Sequence, residues 1–93
     1  METNFIWCLK THIIDDCETI KNDMRLFYSK EKAKSVFDDA VKEEKKIVES
    51  KGWEIDESEF YFEAYEEGYY AHNHSCIELT QIEIEYFLKI KSK

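Results

Sequence analysis

The sequence predicts an α+β fold: an antiparallel sheet of about four strands with one long helix packed on one face, in the order β-β-α-β-β. Three observations predict it. Stretches toward both ends alternate apolar and polar residues with the period of two that a half-buried strand imposes. A central stretch repeats its apolar residues at steps of three and four, the period of a helix stripe. The 93 residues include no proline and two glycines. No composition break or internal repeat marks a linker, so residues 1–93 read as one domain.

Residues 5–14, FIWCLKTHII, are rich in aromatic and β-branched side chains. Alternation puts Phe5, Trp7, Leu9, Thr11 and Ile13 on one side and Ile6, Cys8, Lys10, His12 and Ile14 on the other, which is the first predicted strand. The polar stretch DDCETIKND then interrupts the pattern until residues 24–28 resume it, predicting a hairpin with a longish loop. Ser29 supplies an N-cap oxygen for the helix that follows. Ala33, Val36, Phe37, Ala40, Val41, Ile47 and Val48 form its apolar stripe, with Lys42, Glu43, Lys45 and Lys46 outward. Gly52 suits the left-handed position that ends a helix, and Trp53 then falls where it packs back on Val48.

Beyond the helix, Phe60, Phe62 and Ala64 alternate with Tyr61, Glu63 and Tyr65 as a third strand, which ends before Glu67 and Gly68. Residues 76–88 read as a fourth. Their apolar frame, set by Ile77 and Leu79, shifts at Thr80 and Gln81 to Ile82, Ile84, Tyr86 and Leu88. Because side chains alternate with period two, that shift predicts a bulge or bend in a long strand. Strand one is apolar on both sides, Trp7 and Leu9 against Ile6 and Ile14. The sheet face away from the helix is therefore expected to meet a second surface, a homodimer being one option.

Composition separates several classes of protein. An apolar fraction of 43% with 15% aromatics supports a packed core despite 37% charged residues, against a disordered chain. No stretch approaches the roughly 20 apolar residues of a membrane span, and the start lacks a secretion signal, so a cytoplasmic location is expected. Cys8, Cys17 and Cys76 are odd in number and irregularly spaced, which predicts reduced thiols rather than a disulfide framework or a zinc finger. Charge is sharply uneven: residues 1–51 carry −1, residues 52–88 carry −10 without a single Lys or Arg, and residues 89–93 carry +3. Such a negative region repels phosphate backbones and anionic lipid, so neither direct nucleic-acid binding nor membrane binding is expected, and a basic protein partner is.

Three constellations carry candidate chemistry. His72, His74 and Cys76 alternate on one side of an extended segment, and His and Cys are preferred zinc ligands. A strand rises about 3.3 Å per residue, which holds His72 and Cys76 too far apart to share one ion, so a metal site needs His12, Cys8 or Cys17 as well. Asp15, Asp16 and Glu18 could hold a divalent cation or share a proton, or could simply keep a loop solvated. Cys76 with His74, or Cys17 with His12, could be drawn as a thiol nucleophile and its base. No cofactor-binding glycine loop is present.

The aromatic and acidic run 60–70 is the more informative feature. Tyr61, Tyr65, Tyr69 and Tyr70 interleave with Glu63, Glu66 and Glu67. Tyrosine supplies large contact area in interfaces at low entropic cost, and carboxylates around it select a basic surface. A half-buried strand with a solvated outer face would show the same pattern.

The stretches FIWCLKTHII, LFYSKEKA, FYFEAYEEG and HNHSCIELTQIEIE resemble a group of small uncharacterised proteins of low-GC Gram-positive bacteria and their phages. The resemblance implies the α+β topology and a phage or mobile-element setting, and transfers no functional residue. The expected function is an acidic, non-enzymatic protein-binding module, a phage-type inhibitor acting on a basic partner. The alternative is a small metal- or thiol-dependent enzyme centred on His72, His74 and Cys76.

Overall fold

The computed structural model describes residues 5–15, 18–68 and 73–83. Among them one helix, α1 (Lys30–Lys51), packs on a sheet built from β1 (Phe5–Asp15), β2 (Glu18–Phe27), β3 (Glu54–Ser58), β4 (Tyr61–Tyr65) and β5 (His74–Glu83). The sheet order is β2-β1-β5-β4-β3, with every neighbouring pair antiparallel. The α+β class is as expected, but the sheet has five strands and the chain order is β-β-α-β-β-β.

The added strand is β3, EIDES, an edge strand with one apolar residue. Its acidic side chains gave no alternating apolar signal. What makes it a strand is the backbone ladder to β4, which runs from Glu54↔Tyr65 to Ser58↔Tyr61. The same logic corrects the long loop expected after β1. Pairing of β1 with β2 continues down to Asp15↔Glu18, so most of the polar stretch is strand, with a bulge opposite the Ile13–Ile14 step. Polar residues are tolerated there because β2 is an edge strand, exposed along its length up to Phe27.

Helix α1 starts and stops where its caps dictate. Ser29 is extended (φ −97°, ψ 125°) and its Oγ accepts the Lys32 N–H at 3.1 Å. Gly52 sits at φ 74°, a left-handed position that costs other residues about 1 kcal/mol or more. The Gly52 N–H donates to Glu49 O and the Trp53 N–H to Val48 O, both at 3.1 Å, which completes a Schellman termination.

The helix buries Ala33, Phe37 and Val48 against the sheet, with Val36, Ala40 and Val41 partly covered. Ile47 departs from the expected stripe: it is 48% exposed, while Glu44 is only 8% exposed. Positions 37, 41, 44 and 48 step by four, three and four, whereas Ile47 lies about 100° around the helix from Val48. The Glu44 stem therefore covers the sheet and Ile47 faces out.

Sheet residues Leu9, Phe27, Phe62, Ala64, Ile77 and Leu79 meet the helix and Trp53 in one core. Burial of each large side chain contributes about 1.5–3 kcal/mol. At the core's end Trp7 and Phe60 stack at 6.0 Å between centroids, with the Lys30 ammonium 5.6 Å and 5.9 Å from their ring centres.

The bulge expected at Thr80 and Gln81 is absent. β5 pairs with β1 without interruption from His74↔Ile14 to Glu83↔Phe5. The apolar frame shifts because the apolar residues change faces: Ile77 and Leu79 face the helix, whereas Ile82 lies opposite Ile6 on the other side. Residues 84–88 of the expected strand lie outside the described residues. On that second face Ile6 and Cys8 are 6% and 0% exposed, while Lys10 and His12 further along the strand are exposed.

Candidate functional site on the sheet face opposite the helix

Strand alternation delivers the expected tyrosine and glutamate side chains to one surface. Phe62 and Ala64 point into the core, so Tyr61, Glu63 and Tyr65 point away from the helix. On β5, Ile77 and Leu79 point inward, which places His74, Cys76 and Glu78 on the same outer surface. His12 joins them from β1, directly across from Cys76.

Side chains from three strands interlock there. The Tyr61 hydroxyl donates to Glu63 Oε1 at 2.9 Å, and Glu63 Oε2 lies 3.0 Å from His74 Nε2. The His74 ring meets His12 edge-on, with centroids 6.4 Å apart. The hydrogen bond to Glu63, and secondarily desolvation, hold the Tyr61 phenol well above its ordinary range. Burial pushes the Cys76 thiol up, and the neighbouring Tyr61 hydroxyl only partly offsets that. Burial likewise raises the Cys8 thiol, with Lys10 opposing.

Two function classes expected from sequence thus share one surface. For metal binding, His74 and Cys76 are co-facial neighbours, and His72 lies outside the described residues. Among the described residues no group of three His, Cys, Asp or Glu is placed to hold an ion. For thiol chemistry, a nucleophile needs a lowered pKa, and both described thiols are shifted the other way. Of the candidates that follow strand one, Asp15 and Glu18 are cross-strand partners, with Asp15 paired to Lys51 and Glu18 exposed, while Asp16 and Cys17 lie outside the described residues.

The electrostatic pattern is sharper than the sequence indicated. β3, unrecognised in the sequence, adds Glu54 opposite Tyr65 and Asp56 opposite Glu63 on the same surface. Ile55, which packs against the core, is the one apolar residue of EIDES and too little to mark a strand in the sequence. Glu57, on the helix side, is instead matched by Lys45 at 2.6 Å, a bond that raises the Lys45 pKa. The acidic half of this face therefore comprises Glu54, Asp56, Glu63 and Glu78 around Tyr61 and Tyr65, with Lys10 at its border on β1. Tyr65 is 41% exposed. Glu66 and Glu67 extend the acidic edge, with Glu66 accepting from Asn73 Nδ2 at 2.7 Å, and Tyr69 and Tyr70 lie outside the described residues. Toward β1 and β2 the face becomes apolar, with Met24 and Leu26 exposed.

These features define an α+β protein with one helix-covered sheet face and one acidic, tyrosine-bearing face. No protein-family model, curated protein or solved structure matches the chain. Among the described residues no helix is long and apolar enough to cross a membrane.

Proposed function

We propose that the chain is a non-enzymatic protein-binding module that docks a basic partner on the β3-β4-β5 half of the face opposite the helix. The observation that carries this reading is the co-facial placement of Glu54, Asp56, Glu63 and Glu78 around Tyr61 and Tyr65. Residues from three strands share one sign of charge, and a half-exposed phenol lies among them. The hydrogen bonds of Glu63 pre-order the centre of that surface, which lowers the entropic cost of docking. On the opposite, helix-bearing side two carboxylates are matched by lysines, Glu57 by Lys45 and Asp38 by Lys34.

The test is affinity capture from a lysate in a salt series with the native chain and with a Glu54→Gln, Asp56→Asn, Tyr65→Ala variant. The reading expects a basic protein retained by the native chain at low salt, lost near 1 M salt, and lost at all salts by the variant. Equal retention by both chains refutes it.

A further inference from the structure

We propose that β2 is a self-association edge: two copies pair antiparallel through residues 21–27 about a two-fold axis at Met24, joining their sheets into one. This rests on different residues from the acidic docking face, which lies at the other end of the sheet.

Four features of β2 point to a second copy of this chain. First, β2 is the terminal strand of the sheet and its outer edge meets no strand among the described residues. Ten residues is long for an exposed edge, which natural proteins usually shorten or cover. Second, the edge carries apolar side chains in the open: Met24 is 55% exposed and Leu26 42%. Third, residues 21–27 pair one-to-one with β1, from Lys21↔Ile13 to Phe27↔Trp7, while the bulge lies beyond them. That regular segment is the part of β2 able to template another strand, and Met24 is its midpoint.

The fourth feature is self-complementarity. With the axis at Met24, each copy's Asp23 lies opposite Arg25 of the other, twice over, on the helix side of the sheet. On the other side Met24 faces its own copy and Leu26 faces Asn22. Opposite charges thus match twice and Met24 meets its own copy, with Leu26 diagonal to that Met24, the kind of pairing that stabilises neighbouring strands. Arg25 is already held at this edge, its guanidinium 5.1 Å from the Phe27 ring centre. An axis at Asp23 would oppose that carboxylate to its own copy, and an axis at Arg25 would do the same to the guanidinium. The two-fold at Met24 puts both helices on one side and makes the two acidic faces coplanar at the distal ends of the joined sheet.

Sedimentation equilibrium of the full chain across a wide concentration range, with circular dichroism to verify folding, tests the pairing. The native chain is expected to show a monomer–dimer equilibrium. Asp23→Arg alone and Arg25→Asp alone place like charges opposite each other and should each weaken dimerisation by roughly tenfold, while the double variant should restore it. Independently, Met24→Cys should form a disulfide-linked dimer under mild oxidation that the native chain does not form. Cross-strand Cα separations of about 4.5–5.5 Å fall within disulfide range. A monomer at every concentration, single variants without effect, a double variant that stays monomeric, or an uncrosslinked Met24→Cys chain overturns the proposal.

Discussion

Glu63 and His74 meet at 3.0 Å across β4 and β5, and the second carboxylate oxygen of Glu63 holds the Tyr61 hydroxyl at 2.9 Å. One side chain thus orders two others on the proposed docking face. Glu63→Ala should cost about 1 kcal/mol in urea unfolding, the ordinary worth of partly exposed hydrogen bonds. It should also lower the Tyr61 titration midpoint toward the ordinary phenol value of 10.0, read by NMR of the ring carbon. An unchanged midpoint would show that Glu63 does not hold the phenol.

The helix register sets a contrast between two apolar residues. Phe37, 2% exposed, should cost about 3–5 kcal/mol when replaced by alanine. Ile47→Ala should cost less than about 1 kcal/mol, since that side chain faces solvent. Equal losses would restore Ile47 to the core stripe.

Ser75 is fully buried on the helix side of β5 and its Oγ has no hydrogen-bond partner. Desolvating a hydroxyl without compensation is unfavourable, so Ser75→Ala should stabilise the fold by about 1 kcal/mol in thermal or urea unfolding. A loss of stability would mean that the hydroxyl is satisfied in solution.

Stability should decline in alkali. Burial raises the folded Cys8 thiol above its ordinary 9.0, so the unfolded chain releases its proton first as pH rises. Folding is then favoured fully below that ordinary value and progressively less as pH climbs toward the raised one. Melting temperatures from pH 7 to about 10.5 should fall above pH 9, and Cys8→Ala should reduce the slope; a slope unaltered by the substitution removes Cys8 as a cause.

Much of this was legible because local chemistry specified it. Ser29, Gly52 and Trp53 mark both helix ends through hydrogen bonds that span only a few residues. Alternation in YFEAY likewise put Tyr61, Glu63 and Tyr65 on one face. What stayed hidden depends on partners distant in sequence. β3 and the first half of β2 are polar edge strands, held by the ladder of a neighbour rather than by their own apolar pattern. The switch of apolar faces along β5 mimicked a bulge because Ile82 packs beside Ile6 on the far side from the helix. The bond between Glu63 and His74 follows from the β4-β5 register, which no short stretch of sequence encodes.

The claim that a pre-ordered acidic face docks a basic surface is tested most directly by titrating the isotopically labelled chain with a lysine-rich peptide and following amide NMR shifts. Shifts are expected to cluster at Glu54, Asp56, Tyr65 and Glu78 and to vanish in 1 M salt. Shifts centred on the outer face of α1, or spread evenly over the molecule, would contradict it.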